Sequence, residues 1–432
     1  MKKNIFIAIV IGILLYGCQT STYVPQEFSR NANLEAVKTS AEKISGMDSL
    51  LQSFVVQNKA SSVVGFVAKG GNIVYKNAFG YKDMENKIPA TTEDYYILFS
   101  QTKAVTSVAF MILVERGLVA VDDPVADYFP GIPDQVVTAV QEDGTYDTRP
   151  VASPMTFAHL LSHSSGLGAG PVGQIRRAEM QRNQTRTTVE STPLKGQRTG
   201  GRGTTQYLEE EMIALAKYPL GFDPGTEWNY HISTNMLAYM IERISGTPLR
   251  QFVKENILDP LGMNETDWYY EPDKLSRFVK AYNYENGKLE PVSNMYSEAT
   301  ISAEQTYAEG AIGLNGPIED YAKFCQMLLN KGEFNGRRIL RPETIEQMTI
   351  NRLPEENSGG KGFQFGLGFE LYNDIKKPTP EVSNSAYAWG GLYGTEYVID
   401  PENDMIALFY LNMPKRDPLY PIFLRKAYGL FE

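Results

Sequence analysis

The chain has 432 residues, 42% of them hydrophobic and 21% charged, the balance of an ordinary globular protein and not of a disordered or fibrous one. Such a length favours two substructures sharing a core. A formal charge of −10 argues against a nucleic-acid binder, which normally carries a basic patch or domain.

The N-terminus predicts export. "MKKNIFIAIVIGILLYGCQ" sets two lysines before an apolar run too short for a comfortable membrane span, followed by Leu15-Tyr16-Gly17-Cys18. The pattern resembles a bacterial lipoprotein signal. Residues 1–17 are then expected to be removed, Cys18 lipidated and residues 18–33 to form a tether. The protein would work in the cell envelope, held to a periplasmic or outer-membrane face. An uncleaved anchor or a plain signal peptide is the other reading. Cys325, in the apolar helical pattern "YAKFCQMLL", has no partner if Cys18 is lipidated and is expected to be a buried free thiol.

After the tether, "LEAVKTSAEKISGMDSLLQSFVVQ" has helical spacing of apolar residues. "SSVVGFVAKGGNIVYKNAFGY" alternates about Gly70-Gly71 and predicts a β-hairpin. The middle of the chain reads as mostly helical. "KAVTSVAFMILVERG", "MTFAHLLSHSSG", "TNMLAYMIERISG", "PLRQFVKENILDPLG" and "IEDYAKFCQMLLNKG" are apolar helical runs, each closed by glycine. Residues 169–206 break the pattern with Gly, Thr, Gln and a series of basic residues from Arg176 to Arg202; a loop so long is usually functional or disordered. "GTEYVIDPENDMIALFYLN" predicts a second hairpin, turned at Pro401-Glu402-Asn403-Asp404, before the closing amphipathic helix "YPIFLRKAYGLF". Strands at both ends of the chain with helices outside them suggest an α+β domain built from the two termini.

Three matches to Ser-x-x-Lys occur, at Ser40, Ser100 and Ser358. Ser40 is expected inside the first helix with Lys43 on a solvated face. Ser358 lies in "EENSGGKG", a flexible polar loop that cannot hold a nucleophile in place. Only Ser100, in "ILFSQTK", stands at a loop-to-helix junction with a strongly apolar helix behind it, where backbone N–H groups favour negative charge on its oxygen. A serine hydroxyl needs a base within hydrogen-bond reach, and Lys103 is one turn on. Its ordinary pKa of about 10.4 makes it an acid, but desolvation lowers a lysine by up to about 3–5 units. Taken alone, the pair is equally an N-cap serine and a snorkelling lysine.

Tyr230, in "PGTEWNYHISTN", stands just before a helix and would carry a proton between Lys103, Ser100 and a leaving group. By itself it is one tyrosine among 26. Trp389-Gly390-Gly391 is read as the start of a strand, where paired glycines let a ligand approach the backbone. The N–H groups of Leu392 and Ser100 would form an oxyanion hole there; a bulged edge strand is the alternative.

Taken together and in this order, these elements resemble the serine β-lactamase and penicillin-binding superfamily, in its class C-like branch of family VIII carboxylesterases, D-stereospecific peptidases and transesterases. The resemblance runs from about Ser61 to the C-terminus and includes "GLVAVDDPVADYFP", "MTFAHLLSHSSGL", "PGTEWNY" and "GFQFGLGFEL". It implies that Ser100 is the acylated nucleophile, Lys103 its base, Tyr230 the partner proton carrier, and that Leu392 N–H belongs to the oxyanion hole. Two departures bear on substrate. The usual Tyr-x-Asn is here Tyr230-His231-Ile232, with Ser233 next, and the usual Lys-Thr-Gly is Trp389-Gly390-Gly391. Tryptophan offers an aromatic wall where a lysine would anchor a substrate carboxylate. Trp389, Gly390, Gly391 and His231 are the expected substrate-binding residues.

The fold expected is α+β, with residues 34–90 and 295–432 forming a sheet domain and residues 91–294 a mainly helical one, and the site between them. The function expected is hydrolysis of a small ester or amide through an acyl-enzyme, most simply an esterase. A D,D-peptidase or weak β-lactamase is the alternative enzyme, and a penicillin-binding sensor without turnover the alternative of another class. No cofactor, metal or nucleic-acid partner is expected. His159, His163 and His231 are the only histidines, no Gly-x-Ser-x-Gly elbow or His-Glu-x-x-His is present, and His163 is expected to fix backbone rather than to catalyse. Gly168-Ala169-Gly170-Pro171-Val172-Gly173 matches a dinucleotide fingerprint by letters only, with no strand before it and Pro171 within it.

Overall fold

A computed structural model describes residues 28–30, 33–141, 145–170, 173, 205–230, 232–292 and 308–431. The signal segment, Cys18, His231 and the basic residues between Arg176 and Arg202 lie outside the described residues.

Both predicted hairpins form and become neighbours in one sheet. The first joins β1 (Ser62–Lys69) to β2 (Asn72–Asp83), with β3 (Ile88–Pro89) at its edge. The short strands β4 (Gln364–Phe365) and β5 (Glu370–Leu371) lead to β6 (Tyr387–Gly391), β7 (Thr395–Asp400) and β8 (Met405–Tyr410). The eight described strands are antiparallel in the order β4-β5-β6-β7-β8-β1-β2-β3. β1 pairs with β8 in the register Val64 to Tyr410 and Lys69 to Met405, so the two ends of the chain meet at its centre.

Central strands covered on both faces need apolar residues at every position, which is why β8 reads as an unbroken apolar run. Met405, Ala407 and Phe409 point to the face covered by α1 (Ala41–Val56) and the C-terminal helix, meeting Leu51, Phe54 and Phe423. Ile406, Leu408 and Tyr410 point to the larger core on the other face, which holds α2 (Thr102–Glu115). Twelve consecutive residues of α2, Thr102 to Leu113, are buried. A helix apolar all round belongs inside a protein. Each of its buried large side chains stabilises the fold by about 1.5–3 kcal/mol. The helix α3 (Ser233–Ser245) packs along α2 and ends on Gly246 in the left-handed conformation. Further on, α4 (Ile318–Leu329) covers β7 and β8 and carries Cys325, a buried free thiol whose pKa burial pushes up; α5 (Leu419–Tyr428) closes the chain.

Several expectations need correction. Ser40 is not inside α1 but caps it, its hydroxyl accepting the Lys43 N–H at 3.3 Å. The Ser40 match to Ser-x-x-Lys is therefore a helix N-cap. The helix in "MTFAHLLSHSSG" is Phe157–Leu161 and is closed not by glycine but by His163 at φ 57°. "PLRQFVKENILDPLG" is not one regular helix. A π turn at Lys254–Leu258 separates Leu249–Val253 from Asp259–Leu261, because Pro260 cannot donate to the helical ladder. The mainly helical region also holds two hairpins that the apolar periodicity did not announce, Gln135–Val140 with Tyr146–Pro150 and Tyr282–Glu285 with Lys288–Pro291. Within the expected tether, Phe28 packs against Phe66 and Phe334 and Arg30 pairs with Glu319 at 2.5 Å, so the chain is docked from Phe28 to Arg30. Lastly, Trp389-Gly390-Gly391 ends β6 rather than beginning it, and β6 is an interior strand, not an edge.

Candidate active site

Ser100 sits in a one-turn 3-10 helix, Phe99–Gln101, that runs directly into α2. Its setting is held from several sides. Leu98 N–H donates to Leu314 O at 3.0 Å, while Leu98 O accepts from the Thr395 hydroxyl at 3.3 Å. Gln101 is fixed by two buried tyrosines: Tyr321 donates to its main-chain oxygen at 2.9 Å and Tyr410 to its side-chain oxygen at 2.7 Å. Phe99 adopts φ 45°, a strained conformation for a bulky residue, with its ring 4.4 Å from that of Tyr393. Strain directly before Ser100 needs such surroundings to persist.

Lys103 is 2% exposed. Its Nζ lies 3.1 Å from Ser100 Oγ and 2.8 Å from Ala311 O, and 4.5 Å from the centre of the Tyr230 ring. Burial pulls its pKa down from 10.5 to about 7, against an opposing pull from Glu309. The ammonium is thus brought to where it gives up its proton near neutrality. Ala311 is placed in turn by Asn235, in the first turn of α3, whose Oδ1 accepts the Ala311 N–H at 2.9 Å.

Tyr230 precedes α3 and faces Lys103. Its hydroxyl is bonded to Ser100 and accepts from Trp389 Nε1 at 3.3 Å. Burial raises its pKa to about 12, although these two bonds pull the other way, so it stays protonated through the neutral range. Around it stands an aromatic wall. Trp228 stacks at 5.7 Å, His163 meets the ring edgewise at 4.9 Å and Trp389 is tilted at 5.3 Å; Phe365 touches Trp228, His163 and Trp389. His163 O accepts the Asn229 N–H at 2.7 Å, tying the "SHSSG" loop to the residue before Tyr230.

Gly391, at the end of β6, approaches the Ser100 segment closely. A Cβ added there would meet Leu98 O at 2.3 Å and Thr395 Oγ1 at 2.2 Å. Gly390 lies just as tightly under the Glu396 carboxylate. Leu392, 58% exposed, opens the following turn. Ser100 with Lys103, Tyr230 and Trp389 are thus brought together from three separate segments, with Gly391 and Leu392 at their edge.

Asn235, Ala311, Trp228 and Phe365 are members of the site that sequence reasoning did not select. Trp228 had a usable signal, since residues two apart in an extended segment face the same way. Ala311 had none, because it acts through its main chain. Among the described residues, no group of three or more His, Cys, Asp or Glu is arranged to hold a metal.

An antiparallel sheet with helices on both faces, and a buried lysine one turn after a serine facing a tyrosine, define a serine β-lactamase and penicillin-binding fold; the chain belongs to the beta-lactamase family, whose family model matches residues 47–423. Protein Rv1367c of Mycobacterium tuberculosis is 28% identical over 372 residues, covering 81% of this chain and 85% of that protein. Esterase EstB of Burkholderia gladioli is 25% identical over 388 residues, covering 85% of this chain and 89% of EstB. Simvastatin synthase LovD from Aspergillus terreus superposes with a TM-score of 0.73 over 90% of this chain and 98% of LovD, at 22% identity, a likeness of fold.

Proposed function

We propose that the protein is a serine hydrolase that cleaves small esters through an acyl-enzyme. The observation that carries this reading is the Lys103 amine, stripped of water 3.1 Å from Ser100 Oγ and with its pKa near 7. Neutral Lys103 takes the proton as Ser100 Oγ attacks the ester carbonyl. The N–H groups of Ser100 and Leu392 receive the negative oxygen of the tetrahedral intermediate. Tyr230, protonated and bonded to Ser100, passes a proton to the departing alkoxide, which leaves as the alcohol. Water then attacks the acyl-serine, Lys103 and Tyr230 handling its proton in reverse, and the acid is released.

Esters are favoured over peptides by the wall beside Tyr230. Trp389 stands where the resemblance would place a carboxylate-anchoring lysine, and the aromatic rings beside it suit an uncharged acyl or alkoxy group. The name of EstB supports the same reading. At the N-terminus, the Cys18 pattern supports a lipid anchor that would hold the protein in the cell envelope.

Steady-state turnover of p-nitrophenyl acetate and butyrate, beside nitrocefin and a D-Ala-D-Ala peptide, tests the proposal. Ester turnover that exceeds the other two and disappears in Ser100→Ala is the expected result. Turnover surviving in Ser100→Ala removes the nucleophile. Peptide or nitrocefin turnover above that of esters makes it a peptidase or β-lactamase, and a burst without turnover makes it a sensor.

A further inference from the structure

The turn from Gly391 to Gly394 carries the Leu392 N–H that the proposed reaction needs, yet it has glycine at both ends and a solvent-exposed leucine second. Glycine leaves the backbone free to move, and Gly394 does adopt φ 88°. An oxyanion donor serves only if it is already aimed when charge develops. Something outside the turn must therefore hold it.

The hydrogen bonds show what does. Of the four carbonyls in the turn, three take main-chain donors: Gly391 O from Gly394 N at 2.9 Å, Tyr393 O from Met413 N at 2.9 Å and Gly394 O from Leu411 N at 3.0 Å. Leu392 O takes Arg416 Nη1 at 2.9 Å instead. The same guanidinium nitrogen reaches Met413 O at 3.1 Å, while Nη2 meets Glu396 Oε1 at 3.2 Å. Glu396 is the cross-strand partner of Gly390, over which its carboxylate lies. Arg416 also packs so closely on Gly394 that a Cβ there would meet its Nε at 2.6 Å.

We propose that Arg416, anchored by Glu396, is the positioning residue of the oxyanion turn. The Gly391–Leu392 peptide plane is set by the bond from Gly394, and the Leu392–Tyr393 plane by Arg416. With both planes fixed, the Leu392 N–H, trans to Gly391 O, keeps one direction. Arginine suits the task because its planar fork bonds Leu392 O, Met413 O and Glu396 at once, which a lysine ammonium in the same place cannot do with the same geometry. Arg416 never touches substrate.

The inference rests on the proposed serine hydrolysis, and its test keeps the two apart. Arg416→Ala and Arg416→Lys are assayed with p-nitrophenyl acetate and with the matching thionoester, whose sulfur is a poor acceptor for an oxyanion hole. Arg416→Ala is expected to lower kcat on the ester by roughly 10–100-fold, less than the loss of a whole donor, with KM little changed. The preference for the ester over the thionoester should shrink in parallel, and Arg416→Lys should fall between. Where Arg416→Ala fails to fold, Arg416→Lys carries the test. An unaltered kcat, or a lowered kcat with an unaltered ester-to-thionoester ratio, in a folded variant overturns the role of Arg416. If Ser100→Ala is inactive in that case, serine hydrolysis stands and only the brace falls; if Ser100→Ala keeps its turnover, the reading of the site itself fails.

Discussion

Taking the Lys103 side chain out of water raises the free energy of its charged form by on the order of 5 kcal/mol, the equivalent of the drop in its pKa from 10.5 to about 7. That penalty is what turns an acid into a base. Ester turnover should therefore rise with pH through about 7 as Lys103 loses its proton. No falling limb is expected below the range where Tyr230, with a pKa near 12, ionises. A profile of kcat/KM that is flat from pH 5 to 9 would remove Lys103 as the base. The same burial acts on stability. Between the folded pKa near 7 and the unfolded value of 10.5, the unfolded chain binds more protons, so this group makes the fold more stable as pH rises across that window. Lys103→Met should accordingly raise the melting temperature, most of all below pH 7, while lowering turnover by about 10²–10⁴-fold. A variant that melts lower at every pH would show that the lysine is structurally favourable. For Tyr230→Phe, which keeps the ring against Lys103, kcat should drop by about 10²–10⁴-fold with the fold intact by circular dichroism.

At the level of elements, the site depends on how the end of β6 meets the start of α2. The Ser100 turn and the strand are separated in sequence by almost 300 residues, yet Gly391 lies against Leu98 O with no room for a methyl group. Gly391→Ala should force the two apart at a cost of about 1–3 kcal/mol in stability and lower kcat by roughly 10–100-fold. A crystal structure with the strand unmoved and full activity would contradict this. Elements whose signal is local were legible. The first hairpin has an alternating pattern and the second short apolar runs, each around plain turn residues, and α2 has an apolar run of helical length. Gln135–Val140 and Tyr146–Pro150 were not, because a short, half-exposed pair has little apolar pattern to display. The place of Trp389-Gly390-Gly391 in its strand is hidden for a related reason: glycines permit either end of a strand, and the neighbouring Thr395 and Leu98 settle which.

For the molecule as a whole, the first and last parts of the chain build the sheet and the middle supplies α2, Tyr230 and their surroundings, so the site exists only once both parts are in place. Phe28 and Arg30 fasten the chain next to Phe66, Phe334 and Glu319, which leaves nine residues between them and Cys18. On the proposed anchor that link could span at most about 35 Å, which would hold the protein close to the membrane surface. Cys18→Ala should abolish incorporation of radiolabelled palmitate and move the protein from the membrane to the soluble fraction on cell fractionation. Undiminished labelling would rule out Cys18 as the lipid site.

Ser100, Lys103 and Tyr230 could be picked out of the bare chain because spacing, helix position and family resemblance all bear on the same three residues. Their chemistry could not. A serine and a lysine one turn apart describe a snorkelling surface pair as well as a nucleophile and its base, and the difference is whether water reaches the nitrogen. That depends on Ala311, Asn235, the Tyr230 ring and the apolar faces folded around them, all remote in sequence. The brace from Arg416 to Leu392 O is likewise invisible in the letters, since a main-chain acceptor carries no residue type by which to recognise it. Local patterns depend on neighbours along the chain; desolvation and aim depend on neighbours in space.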